Sequence, residues 1–229
     1  VERQEYDDSE TPFGPINNSD RDRTRTTAGG LVRYEADPFI QPFVEVLGDF
    51  RHYDQTQDDF GYRRSSSGWR AGLGTRYRLA PTLTGEIFAG LMQQTYDDPS
   101  LDRVTTPAFN FNLRWRPAPG TLLVAYVDRS IEETTLPGAS AYVYSVVGAR
   151  FEQRIVPNLT GILRASWGQS DFVGAARTDD YVDASAGVRY RVTQNIALGL
   201  DYRFTRRDSN VEFADFSRHQ VFLRAGFYY

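Results

Sequence analysis

Strict alternation at a period of two residues, carried by one phrase that recurs along most of the chain, limits what this sequence can fold into more than any other feature. The phrase stands in full as TRYRLAPTLTGEIFAGL: an arginine and an aromatic, a Pro, Asn or Gly break, then polar and apolar residues in turn. It returns as LRWRPAPGTLLVAYVD, ARFEQRIVPNLTGILRASW and VRYRVTQNIALGLDY. A period of two sends successive side chains to opposite faces of a β-strand, and a phrase that recurs is a repeated structural unit.

The two faces differ in chemistry. Leu83, Gly85, Ile87, Ala89 and Leu91 share one face, while Thr84, Glu86, Phe88, Gly90 and Met92 take the other. Leu159, Gly161, Leu163, Ala165 and Trp167 oppose Thr160, Ile162, Arg164 and Ser166 in the same way. Ile196, Leu198, Leu200, Tyr202 and Phe204 oppose Ala197, Gly199, Asp201 and Arg203. Complete strands are expected near 22–36, 39–54, 66–79, 82–97, 103–116, 121–134, 140–153, 158–171, 179–192, 195–209 and 215–229, with a stub at 1–7. Connections alternate in kind: ADPF, LAPT, PAPG, IVPN and VTQN carry the residues of tight turns, whereas QTQDDFGYRRSSS, DDPSLDR and TTLPGAS are longer and more polar. Tight turns at one end and long loops at the other are the asymmetry of an antiparallel outer-membrane barrel.

Composition excludes the competing classes. Mean hydropathy is -0.51, and no stretch approaches the ~18 apolar residues that a spanning helix needs. There is no cysteine, hence no disulfide framework and no thiolate metal site. The basic residues are all arginine, and a net charge of -4 offers no bulk attraction to nucleic acid. A water-soluble sandwich would hide its apolar faces in one core, and strands near 14 residues exceed the usual ~5–6. No basic region with an apolar core stands at the N-terminus. The opening VERQEYDDSE resembles the end of a repeat unit without its beginning, so further residues are expected before Val1.

The C-terminal strand HQVFLRAGFYY puts Val221, Leu223, Ala225, Phe227 and Tyr229 on one face. This resembles the signal by which outer-membrane barrels are recognised for assembly, with Val221, Leu223, Phe227 and Tyr229 as its residues. Strands flanking tight turns carry an aromatic on the apolar face: Tyr34, Tyr77, Trp115, Phe151 and Tyr190, joined by Phe227. Side by side they would form an aromatic girdle at one lipid–water boundary. Arg33, Arg76, Arg114, Arg150, Arg189 and Arg224 precede them and fall on the opposite face.

The repeats YRLAPTLTGEIFAGL, FEQRIVPNLTGILRASWGQSDF and YRVTQNIALGLDYRFTRRDS, with the ending VFLRAGFYY, resemble the Gram-negative outer-membrane proteins of the beta-barrel porin 2 type, from about Thr24 onward. Members of that group are usually longer than this chain. The resemblance implies residence in the outer membrane and a channel role, and it carries no catalytic motif.

The expected fold is thus all-β: one transmembrane antiparallel up-and-down barrel over 1–229, with 1–21 a partial strand plus loop and 22–229 repeated hairpins, twelve strands in this chain or more. Sixteen is the guess for a pore-forming member if residues precede Val1. The expected pore lining is Arg33, Glu45, Arg76, Glu86, Arg114, Arg150, Arg164, Arg189, Asp201 and Arg224, joined in a mouth constriction by Arg116 and Arg191. Glu45, Glu86 and Asp201 are within cross-strand or diagonal reach of Arg33, Arg76 and Arg189 respectively. Arginine rings favour anions; the alternative is a neutralised network that fills the interior, which bulky inward Phe88, Tyr126, Tyr142 and Tyr144 favour. Function divides accordingly between a passive channel for small hydrophilic or anionic solutes and a non-conducting structural or binding barrel in a larger envelope assembly.

Acidic pairs Asp7-Asp8, Asp58-Asp59, Asp97-Asp98 and Asp179-Asp180 gather at the long-loop end. They could hold calcium or share divalent ions with lipopolysaccharide, but their spacing matches no calcium loop, so a solvated acidic rim is expected. His52 and His219 are the histidines, and nearby Asp54 and Ser217 make only a faint case for a hydrolytic dyad or triad. No catalysis, cofactor or metal is expected. Expected partners are outer-membrane lipids and lipopolysaccharide, the barrel-assembly machinery during insertion and an envelope protein in the assembly reading, with no nucleic acid.

Overall fold

A computed structural model describes residues 1–11, 14–16 and 18–227. The chain begins with three short strands, β1 (Glu2–Gln4), β2 (Ser9–Thr11) and β3 (Gly14–Ile16), and a single 3-10 turn at Ser19–Arg21. Eleven long strands follow: β4 (Arg23–Arg33), β5 (Ile40–Tyr53), β6 (Ser66–Ala80), β7 (Leu83–Tyr96), β8 (Val104–Trp115), β9 (Thr121–Glu133), β10 (Ala141–Val156), β11 (Leu159–Val173), β12 (Thr178–Arg191), β13 (Ile196–Ser209) and β14 (Phe216–Phe227). Twelve strands form one up-and-down antiparallel sheet in the order β1-β4-β5 and onward to β14. The expected strands and tight turns lie where the alternation places them, and the stub pairs Glu2–Gln4 with Arg23–Arg25. The small hairpin of β2 with β3 was not foreseen.

The sheet is rolled but not closed, since β14 pairs only with β13 among the described residues. Arg51 on β5 reaches Glu133 at the end of β9 although three strands lie between them in the sheet. Partners directly opposite in an antiparallel ladder share a face. One face carries Ile87, Leu91, Leu163, Trp167, Leu198, Leu200, Val221 and Leu223 outward, all exposed. The other carries Phe88, Met92, Gln94 and Tyr96, all buried inside the roll.

One ladder departs from regularity. β8 stays paired with β7 as far as Gln94↔Val104, yet its pairing with β9 stops at Asn110↔Asp128. Pro107 explains the break: proline has no N–H to give, so a strand containing it is left unpaired on one side. Beyond that point β9 leans over the inner face of β8, and Arg129 donates to Thr106 Oγ1 (3.2 Å) and Ser145 Oγ (2.9 Å). Ile131 and Val143 then join Phe43, Phe88, Met92, Tyr96, Leu101, Val104 and Ala108 in a buried apolar cluster. The inner face of β5–β8 is therefore filled with side chains towards the long loops.

Candidate functional site: the inner face and its short-turn mouth

Inner-face positions are fixed by register, and register decides which charges meet. Arg76 and Glu86 are direct partners on β6 and β7, with Nη2 3.3 Å from Oε2. Glu45 lies opposite Leu31 and Gly72, diagonal to both Arg33 and Arg70. It meets Arg70 at 3.2 Å rather than the expected Arg33. Arg70 is held there from below, because its guanidinium stands 4.1 Å over the Phe88 ring, a favourable cation–π distance. Arg33 turns instead to Glu35 (3.7 Å) and the Phe43 ring.

Asp201 also chooses differently from expectation. It sits 3.5 Å from Arg164 and 3.6 Å from Arg224, and Arg189 is not its partner. Arg164, on β11, crosses the whole width of β12 to reach β13. Gly187 permits this, since a Cβ there would stand 2.3 Å from Asp201 Oδ1. Arg150 pairs with Glu152 two residues along the same face.

Freed of Asp201, Arg189 points into a cavity of about 1150 Å³ at the short-turn mouth. Arg116, Arg154 and Arg191 line it as well, with Thr82, Thr121, Thr160, Asn158 and Gln194. Its rim is the tight turns themselves, stiffened by Pro117, Pro119 and Pro157. Arg114, on the inner face next to it, is exposed. Arg154 was missed from the sequence because its strand, β10, runs past the expected end at 153 to Val156.

At the opposite end charges are buried. Arg51 contacts Glu133 and Asp49 (2.7 Å) and donates to the Ile131 carbonyl (2.9 Å), while Tyr53 donates to Glu133 Oε2 (2.9 Å). Arg64 bonds Asp58 Oδ2 at 2.6 Å and the Ala139 carbonyl at 2.8 Å, pinning the loop between β5 and β6 across the roll. Two of the four acidic pairs are thereby corrected: Asp58 is not solvated but 1% exposed against Arg64, and Asp179 is likewise buried against Arg177 and Ser209. Each has an arginine that its local sequence supplies, six and two residues away.

Asp98 stays on the surface and ties loops together. Its carboxylate accepts from the Ser100 hydroxyl (2.6 Å), the Ser100 N–H (3.0 Å) and the Arg63 N–H (3.0 Å), which hold its pKa down at about 2. Burial pushes the Asp20 carboxyl the other way, upward, with Asp59 nearby adding to the effect. Asp54 is taken by Arg3 through two bonds of 2.6 and 2.5 Å, and that guanidinium holds its pKa below the usual range. His219 shares a 2.7 Å hydrogen bond with the Tyr202 hydroxyl on the outer face. His52, Asp54, Ser217 and His219 are not brought into one cluster.

On the outer face, Tyr34, Tyr77, Trp115, Phe151, Tyr190 and Phe227 lie towards the short-turn ends of their strands, not all at one level: Phe151 faces Leu163, four residues along β11 from the Leu159 that faces Tyr190. Trp115 lies opposite Leu83 and Leu123, Phe151 opposite Leu123 and Leu163, Tyr190 opposite Leu159 and Leu198, and Phe227 opposite Ile196. Tyr77 lies flat across Gly85, its hydroxyl 3.5 Å from the Asn112 carbonyl. Val221, Leu223 and Phe227 point outward and are exposed, and Tyr229 lies outside the described residues.

No helix is long and apolar enough to cross a membrane, which says nothing of strands. Among solved structures, the FrpB iron transporter from Neisseria meningitidis (F3-3 variant) matches with a TM-score of 0.54 at 11% identity. The match covers 85% of this chain and 36% of that one, so the chain spans about a third of the transporter's length and shares its fold. No curated protein matches. The model of the family described as "Putative beta-barrel porin 2" matches residues 1–227, nearly the whole length, and the chain belongs to that family.

Proposed function

We propose that the chain forms a porin-like barrel in the bacterial outer membrane, as one domain, and passes small hydrophilic or anionic solutes through an arginine-lined lumen. Family membership and the two-faced strands support this reading. The observation that carries it is the inner row of arginines ending in an arginine-rich cavity at the short-turn mouth. In lipid every backbone N–H and C=O must be paired. The free margins of β4 and β14 then pair with one another or with further strands. The exposed apolar outer face meets lipid and lipopolysaccharide, the aromatics from Tyr34 to Phe227 lie at the interface, and the β14 residues Val221, Leu223 and Phe227 with Tyr229 serve recognition by the assembly machinery. Catalysis has no part in this reading.

A specific observation favours a second reading. The apolar cluster from Phe43 to Val143 fills the inner face of β5–β8, as a non-conducting structural barrel within an envelope assembly would require. Planar-bilayer recordings of the refolded protein separate the two. Ohmic conductance, with a selectivity shift when Arg76 and Arg189 become glutamate, supports the channel; inserted protein without conductance supports the assembly role, which co-purification of an envelope protein would then extend.

A further inference from the structure

We infer that the short-turn mouth is a saturable binding site for small soluble anions that carry several carboxylate or phosphate groups. The inference deepens the channel reading and rests on it for its physiological role. Four guanidiniums, Arg116, Arg154, Arg189 and Arg191, face one cavity of about 1150 Å³. Its carboxylate, Glu152, is already in contact with Arg150, so the cavity keeps an excess of positive charge.

None of the four guanidiniums has an acidic side chain within ion-pair distance among the described residues, in contrast to Arg70, Arg76 and Arg164 on the same inner face. An unpaired guanidinium presents a planar fork of donors that matches a carboxylate or phosphate, often with two parallel bonds. Four of them, spread beside three different turns, cannot all be met by a single small charge. A solute with two or three separated anionic groups can reach several at once. The side chains of Thr82, Thr121, Thr160, Asn158 and Gln194 supply further hydrogen bonds around the wall. Pro117, Pro119 and Pro157 limit how far the rim can rearrange, which reduces the entropy lost on binding. The arginines are exposed, so water and salt weaken each contact, and affinity has to fall steeply as ionic strength rises.

Calorimetric titration of the refolded full chain in detergent tests the site, with citrate, inorganic phosphate and sucrose as probes at low and at physiological salt. Citrate should bind most tightly, phosphate more weakly and sucrose undetectably, with citrate affinity falling several-fold on adding salt. The triple variant R116Q/R189Q/R191Q should weaken citrate about 10-fold or more, as expected for losing several exposed charge contacts. The single variant R206Q, at an outward position that pairs with Asp208, should leave it unchanged. Replacing the same three residues by lysine should restore part of the affinity, which separates charge from folding damage. Equal binding of citrate and sucrose, unchanged citrate binding in the triple variant, or retention of an anionic phospholipid at the mouth that citrate cannot displace would each overturn the inference. Citrate binding by protein that does not conduct would sink the channel reading alone. Conductance with no citrate binding would sink the site alone.

Discussion

At the scale of single residues, the charges are distributed between a buried end and an open one, and each makes its own prediction. Arg51 and Glu133 are both 4% exposed, and truncating one member of a buried pair strands the other. Glu133→Ala should cost about 3 kcal/mol in denaturant unfolding, the low end of the range for such breaks, because Asp49 still holds Arg51 at 2.7 Å. Gly74 sets a packing limit on the same face: a Cβ there would stand 2.2 Å from Phe43 Cζ and 2.7 Å from the Ile87 carbonyl. Gly74→Ala should destabilise by about 1–3 kcal/mol, as overpacking does, and a Phe43→Leu background should relieve part of it. Asp98 predicts a pH effect. Its folded pKa of about 2 lies below the unfolded value of 3.8, so its stabilisation is complete above the unfolded value and lost as pH falls towards 2. Asp98→Asn should flatten the acid side of a stability-against-pH curve between those values, without moving the neutral plateau's slope.

At the scale of strands, the outer face makes the sharper claim. Val147 sits near the middle of β10 on the outer face and Tyr190 beside a short turn, both exposed. If the outer face meets lipid, Val147→Arg should cost about 2–4 kcal/mol in vesicles and Tyr190→Arg about 1 or less, following depth in the bilayer. Equal, negligible costs would mean that this face meets water. Strand positions were legible because period-two alternation is a local property, and the tight turns declare themselves through Pro, Asn and Gly. Charge partners were less so. Glu45 has an arginine diagonal to it on each neighbouring strand, and the choice of Arg70 depends on the Phe88 ring beneath it. Asp201 reaches Arg164 two strands away only because Gly187 leaves the path open. The break between β8 and β9 had a written signal, Pro107, but its consequence, Ile131 and Val143 packed into the roll, is a tertiary event that no local pattern encodes.

At the scale of the whole molecule, twelve antiparallel strands give a rolled sheet with an apolar exterior, a filled long-loop half and an arginine-rich short-turn mouth. The two ends pull function in opposite directions. The buried Arg51–Glu133 and Arg64–Asp58 contacts and the apolar cluster fill one end, whereas the other, in the proposal made above, concentrates anions. The channel reading requires that a water path persist past the cluster once the sheet is paired at both margins in a bilayer. Single-channel recording of the refolded chain across a planar membrane, under a salt gradient, tests this most directly. The account predicts discrete ohmic steps whose reversal potential shows anions crossing more readily than cations, with that preference reduced by R189E. Protein that is inserted and protected from protease, yet passes no current, would contradict it.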